Sequence, residues 1–384
     1  MPKKVLFCAT VDFHFKAFHL PYLAWFKEQG WEVHVAACGT LELPFVDFKY
    51  DVPIQRSPFK LKNLEAYAQL KSVIDENNYE IIHCHTPMGG VLGRLAARAA
   101  RKRGTKVIYT AHGFHFCKGA PLLNWLVYYP IEKILSRVTD CLITINEEDY
   151  NLAVTHQFKA KRVELVHGVG VDTDRFQSMD ELHKQEKRVE LGLDANDFLL
   201  FYAAEFNQNK NQQYLIHVLA LIKADVPQAK LLLAGEGALL DQCRELANQL
   251  GVIEMIHFLG YRNDIDKILP LCDLAVASSI REGLPVNIME AMSCGLPIIA
   301  SENRGHRELV HHHENGYLID SDDKVAMVNH IKTLAQNEVL RYKLGKSGRE
   351  LIESKFAIQK VLIEKSEIYS IFMEEKVEVL WAIQ

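Results

Sequence analysis

The chain has 384 residues, 48% of them hydrophobic and 24% charged. It is too long for one ordinary core and predicts two domains of about 150–200 residues each. No apolar run approaches the roughly 18–20 residues that span a bilayer, and eight scattered cysteines without a C-x-x-C pair argue against a disulfide framework or a zinc site and for reduced thiols in the cytosol. The net charge of −5 divides unevenly: residues 1–176 hold 22 basic against 18 acidic residues, the remainder 22 against 31. That balance disfavours nucleic acid as a partner and leaves an anionic surface beside the first half as the alternative.

The chain opens with "MPKKVLFCAT", a basic pair and a short apolar run cut off by Asp12. It is too short for a signal peptide and reads as a first buried strand. The loop after it, "TVDFHFKAF", lacks G-x-G-x-x-G, which argues against a dinucleotide-binding dehydrogenase. Asp12, His14 and His19 lie on this loop or just past it, where they either face a substrate or serve a purely structural role. "FHLPYLAWFKEQG" and "LEAYAQLKSVIDENN" read as amphipathic helices, the first stopped by Gly30. "EVHVAAC", "EIIHCHT", "KVIYTAH", "CLITIN" and "VELVHG" are short Val/Ile-rich runs, the pattern of strands buried on both faces. His83 and His85 are expected on opposite faces of their strand, and so not to share a metal. "GRLAARAARKRGTK" carries Arg94, Arg98, Arg101, Lys102 and Arg103 without an acidic residue. Arg94, Arg98 and Arg101 are expected on one helix face, either solvated or resting on an anionic leaflet.

"VDTDRF" closes the first series, and a hinge is expected near residue 176. The charged stretch after it has no strand character. "FLLFYAAE", "AKLLLAGEG", "IHFLGY", "DLAVASS", "LPIIAS" and "GYLID" form a second series. Beyond Asp320 the chain reads as helical, and its last segment is expected to reach back to the first domain. The histidines at 311–313 read as a surface run. The predicted fold is α/β, with two doubly wound Rossmann-like domains, 1–176 and 177–360, facing across a cleft, and a terminal helix over 361–384. Ligands of such sheets sit at the carboxyl ends of the strands.

One segment concentrates chemistry. In "REGLPVNIMEAMSCGLP", Glu282 precedes a predicted helix start and Glu290 lies about two turns inside it. Pro285 suits the first helical turn. Gly283 and Leu284 offer backbone N–H groups to an anion. Taken singly, Glu282 reads equally as a complement to the helix dipole and Glu290 as a solvated residue. In "AAEFNQNKNQ", Lys210 follows a strand and can reach a diphosphate as a point charge. His112 in "YTAHGFHF" stands just past a strand, with His115 nearby.

"EGLPVNIME" resembles the E-x7-E element of glycosyltransferase family 4, retaining enzymes of the GT-B fold. "VHGVGVDTDRF", "LLLAGEG" and "FLGYRNDI" resemble further segments of that family, and "HCHTPMGGVLGRLAAR" and "YTAHGFHF" resemble its bacterial exopolysaccharide and capsule members. The resemblance covers most of the chain. It implies a hexosyl- or N-acetylhexosaminyltransferase with a UDP-sugar donor and a glycan or polyprenyl-diphosphate-linked acceptor, needing no metal or other cofactor. It implies contact of Glu282 with the transferred sugar, of Glu290 with the ribose hydroxyls, and of Gly283, Leu284 and Lys210 with the diphosphate. Arg262 falls in a nucleotide-side loop, and His112 would approach the donor sugar. Whether Glu282 is a nucleophile or a positioning group stays open. The family's usual arginine five residues before the lysine is Glu205 here, which puts neutralisation of the diphosphate in doubt. The implied location is cytoplasmic, peripheral at the inner membrane face. A UDP-sugar epimerase of the same architecture and a non-catalytic, nucleotide-sensing subunit of a polysaccharide synthase are the alternatives.

Overall fold

The computed structural model describes residues 2–190 and 193–381. The first sheet contains β1 (Lys4–Val11), β2 (Glu32–Cys38), β3 (Phe48–Asp51), β4 (Ile81–His85), β5 (Lys106–Ala111), β6 (Cys141–Thr144) and β7 (Arg162–Leu165). All pair parallel, in the order β3-β2-β1-β4-β5-β6-β7. The second contains β8 (Phe198–Ala203), β9 (Ala229–Ala234), β10 (Ile256–Gly260), β11 (Leu274–Ala277), β12 (Ile298–Ser301) and β13 (Gly316–Ile319), parallel in the order β10-β9-β8-β11-β12-β13. Val5 to Ala9 are fully buried, as a strand covered by helices on both faces must be. Strand order reverses between β1 and β4, and between β8 and β11. Those two switch points are where an open parallel sheet leaves room for a ligand.

Three features depart from expectation. β3 was not foreseen: it is a short edge strand, with Phe48 and Asp51 exposed, so it lacks the apolar run of its neighbours. The charged stretch after residue 176 contains the helix Glu181–Glu190. It has no broad apolar stripe. Lys184 and Arg188 turn inward instead and meet the Asp273 carboxylate at 2.6 and 2.7 Å, while the Leu199 N–H donates to the same carboxylate at 2.8 Å. Finally, the first unit ends at Val169 and is rejoined by the chain from Val361, and the second is Gly170–Lys360. The crossing lies earlier than residue 176 because Val171 is bound into the second unit. Its N–H donates to Phe356 O, and its carbonyl accepts from the Ile358 N–H, each at 2.9 Å. Gly170, at φ +78°, permits this approach: a Cβ there would stand 2.6 Å from Ile358 Cα. Among the described residues no helix is long and apolar enough to cross a membrane.

Candidate active site

In the second unit the loops after β8 and β11 are bound to each other. Ser278 donates its hydroxyl to the carbonyls of Lys210 and Asn211 at 2.8 and 2.9 Å. The Ile280 N–H donates to Asn209 O, and the Asn209 amide donates to Arg281 O at 2.9 Å. This brings Lys210 Nζ to 2.5 Å from Glu282 Oε1. The pair is mostly withdrawn from solvent, with 24% and 13% of the two side chains exposed, so its field is weakly screened. Gly283 and Leu284 follow, then Pro285 as the N-cap of the helix Val286–Ser293. Pro285 therefore precedes the first turn instead of lying in it. The partial positive charge of that helix end favours an anion at this point.

Arg304, absent from the sequence reading, braces the loop: its Nε donates to Glu282 O at 3.0 Å. Beside it, a Cβ on Gly305 would lie 2.8 Å from Glu282 Cβ and 2.9 Å from Gly283 O. Gly305→Ala is expected to displace the Glu282–Gly283 backbone and lower turnover roughly 10²-fold, the effect of about 1 Å of misplacement at a reacting centre. Steady-state kinetics on a variant with unchanged circular dichroism test this, and a rate within twofold of wild type refutes it.

Glu290 is half-buried inside the same helix. Burial raises its pKa from 4.5 to about 7, against the pull of Arg175, which itself pairs with Asp266 at 2.8 Å. The folded chain thus holds this proton more tightly than the unfolded chain. The resulting stabilisation is complete below about pH 4.5 and is lost as pH rises through about 7. Glu290→Gln should therefore match wild type near pH 4.5 and exceed it near pH 8 by on the order of 2 kcal/mol. Thermal melts across that range check it, and a difference independent of pH counts against it.

In the first unit the switch point is closed by Thr10 and Thr86. The Thr10 N–H donates to Thr86 Oγ1 at 2.9 Å, and the two hydroxyls lie 2.8 Å apart. Around it stand His14, His19, His85 and His112, with one ligand-capable nitrogen of each within 4.8 Å of the others. A largely apolar cavity of about 750 Å³ opens beside them, lined by His14, His115, Met88, Leu92, Tyr128 and Glu132 among others.

Several sequence expectations change here. His83 and His85 share a face, with ring centroids 4.1 Å apart. Residues two apart on a strand point the same way, so the expected opposition inverted the parity. Asp12 is not in the cavity lining. It is buried, accepts from the Leu41 N–H at 2.8 Å and pairs with Lys49 at 3.0 Å, so its carboxylate closes the loop after β1. Arg94 leaves the expected basic face: 1% exposed, it sits 2.8 Å from Glu132 and stacks on Tyr109. The helix also breaks at Ala97, between Pro87–Ala96 and Arg98–Lys102. Arg101 pairs with the buried Asp140 at 2.9 Å, which leaves Arg98, Lys102 and Arg103 exposed. Glu205 and Arg262 are exposed, Arg262 pairing with Asp264 at 2.6 Å.

Residues 183–351 match the family described as glycosyl transferases group 1, and residues 4–146 the family described as glycosyl transferase 4-like. The putative glycosyltransferase EpsD of Bacillus subtilis (strain 168) is 52% identical over 374 residues, 97% of this chain and 98% of that protein. The UDP-Gal:alpha-D-GlcNAc-diphosphoundecaprenol alpha-1,3-galactosyltransferase of Escherichia coli is 28% identical over 80% of each chain. Among solved structures, Anabaena Alr3699/HepE in complex with UDP and glucose superposes with a TM-score of 0.78 at 20% identity, over 96% of this chain and 99% of that one. WaaG, a glycosyltransferase involved in lipopolysaccharide biosynthesis, superposes with a TM-score of 0.74 at 17% identity, over 95% and 99%. Both structural likenesses speak to the fold.

Proposed function

The chain belongs to the group 1, family 4-like glycosyltransferases of GT-B fold, and from that premise we propose that it moves a sugar, with retention of configuration, from a UDP-sugar to a glycan or polyprenyl-diphosphate-linked acceptor in exopolysaccharide assembly. The observation that carries the reading is the Lys210–Glu282 pair at the switch point of the second sheet, next to a helix N-terminus. The bond that breaks joins the anomeric carbon to the diphosphate oxygen. The leaving diphosphate gains negative charge, which Lys210 and the helix end at Gly283 and Leu284 offset. The anomeric carbon becomes oxocarbenium-like, and a carboxylate at Glu282 favours that charge. Glu290 accepts hydrogen bonds from the ribose hydroxyls, and His112 takes the family role toward the donor sugar. This assignment calls for no metal at the diphosphate.

The donor class and the lipid-linked acceptor are supported by the name of the Escherichia coli relative, and the exopolysaccharide setting by the resemblance of "HCHTPMGGVLGRLAAR" and "YTAHGFHF" to bacterial members of the family. Arg98, Lys102 and Arg103 are the remaining candidates for peripheral contact with the inner membrane face. A thermal-shift panel of UDP, GDP, ADP, NAD and several UDP-sugars tests the proposal. A ligand at 100 times its dissociation constant stabilises by ~2.7 kcal/mol. The expected result is a selective shift with UDP and one UDP-sugar, and turnover of that sugar once acceptor is added. A shift with NAD alone, or with nothing, overturns it. Conversion of the UDP-sugar without acceptor would indicate an epimerase, and binding without turnover a sensing subunit.

A further inference from the structure

The cavity of the first unit has no part in holding the donor, and its lining points to a second ligand. The helix Pro87–Ala96 runs along it and contributes Met88, Val91, Leu92 and Leu95, spaced as one stripe of a helix. The stretch from Arg56 to Leu64 lines one flank, and the helix Leu122–Leu135 lines another through Tyr128 and Ile131. The volume of about 750 Å³ is that of a small-molecule site. Where the cavity meets the switch point it is polar, with Thr10, Thr86 and His14 in its wall. The His14 ring lies 4.9 Å from that of His112, the residue assigned to the donor sugar.

The two flanking segments carry an apolar surface. Phe59, Leu61 and Leu64 are 83%, 81% and 70% exposed, and Leu122, Leu123 and Leu126 are 81%, 67% and 74% exposed. Grouped exposure of this kind marks contact with an apolar partner. The first segment is also basic: Arg56, Lys60 and Lys62 are exposed, and Glu65 is the first acidic residue after them. Arg56 lines the cavity and makes no ion pair or side-chain hydrogen bond among the described residues. An apolar cavity, a free guanidinium in its wall and a rim both apolar and basic suit a ligand in which an anionic group is joined to a hydrocarbon chain. We propose that this cavity binds the lipid-linked acceptor by the isoprenoid units next to its diphosphate.

This rests on the lipid-linked acceptor of the proposed function and places it wholly within the first unit. The chain covers the Val91, Leu92 and Leu95 stripe and removes that apolar surface from water. Arg56 meets the phosphate oxygens, for which its planar fork is suited. Glu132 is the one acidic residue in the lining, and Arg94 at 2.8 Å offsets its charge, so it does not repel the diphosphate. At the rim, Lys60 and Lys62 are drawn to an anionic leaflet, and the exposed Phe and Leu side chains enter its interface. The polar end then leaves the acceptor's hydroxyls beside His14 and Thr86, next to His112. This surface is separate from Arg98, Lys102 and Arg103. Those residues lead into the amino end of β5, whereas Thr86 and His115 lie beyond the carboxyl ends of β4 and β5.

The test is isothermal titration of the full-length chain with farnesyl diphosphate, a water-soluble isoprenoid. The expected result is one molecule per chain, bound at least tenfold more tightly than inorganic diphosphate and not displaced by saturating UDP. Val91→Trp and Leu95→Trp fill the cavity and should each weaken binding at least tenfold. Arg56→Gln should do the same from an exposed position, where misfolding is least expected. Arg98→Ser/Arg103→Ser should stay within twofold of wild type. Circular dichroism and thermal melts check that each variant is folded. Equal affinity for inorganic diphosphate overturns the proposal, as does displacement by UDP or wild-type affinity in both tryptophan variants. Absence of farnesyl diphosphate binding while UDP still shifts the melt overturns the chain pocket alone and leaves the transferase reading standing.

Discussion

Replacing Glu282 by alanine should lower the transfer rate by about 10²–10⁴-fold, the usual contribution of one positioned acid–base or charged group, while the fold survives. The two halves of that result have separate reasons. The carboxylate is withdrawn from solvent and held by its own backbone, through Arg304 on Glu282 O and through the contact with Gly305. None of those restraints involves the carboxylate, so the loop persists without it. The ion pair with Lys210 is lost, but Lys210 keeps a 24% exposed side chain and can hydrate. A stability change of about 1 kcal/mol or less follows. Catalysis has no such substitute, since water cannot supply a fixed negative charge at the anomeric carbon. UDP should still stabilise the variant, because the groups assigned to the diphosphate and ribose remain. Glu282→Gln keeps the shape and removes the charge, so it distinguishes charge from packing. If the variant loses rate but Glu282→Gln restores it, shape is the cause. If Glu282→Ala turns over like wild type, Glu282 has no place in the chemistry.

What the sequence disclosed and what it concealed follow from the range of the interactions. Strands buried on both faces announce themselves as short Val/Ile runs, because burial acts on each residue separately. The E-x7-E element and Lys210 are legible because each sits in a short stretch whose punctuation, Pro285 and Gly295 in one case, a strand end in the other, fixes its local structure. The bond from Lys210 to Glu282 is another matter: it depends on Ser278 and Asn209 joining two loops far apart in the chain. Asp273 drawing Lys184 and Arg188 inward is hidden for the same reason, as no local pattern marks a charged residue whose partner lies on a distant strand end. The unit boundary at Gly170 depends on a backbone contact with Ile358. The histidine cluster was within reach. His-x-His on a strand places two rings on one face by strand geometry alone, and the second pair, five residues apart, needed only the turn at the end of β1.

Arg94 yields the second large effect. Glu132→Ala should destabilise the first unit by about 3–5 kcal/mol, the cost of stranding a buried charge. The guanidinium is 1% exposed and inside three restraints: Glu132 Oε2 at 2.8 Å from Nη2, the Gly90 carbonyl accepting from Nε at 2.8 Å, and the Tyr109 ring 3.8 Å from its carbon. Tyr109 in turn donates to Glu132 Oε1 at 3.3 Å. Removing Glu132 therefore leaves a cation and a buried hydroxyl without their acceptor. Arg94 cannot escape to solvent, because it lies on the helix Pro87–Ala96, where Gly89 and Gly90 press directly on Ala9 and Tyr109. A Cβ at either glycine would come within 3 Å of those neighbours, so the helix has no slack with which to rotate the arginine outward. Each kcal/mol should lower Tm by roughly 2–4 °C for a unit of this size. The double variant Arg94→Met/Glu132→Leu replaces the ion pair by apolar groups and should recover most of the loss, because a buried pair is often no better than well-packed hydrophobic residues. Denaturant melts of the three proteins decide the matter. A single variant within 1 kcal/mol of wild type would mean that water reaches Arg94 through the adjoining cavity, which Glu132 also lines.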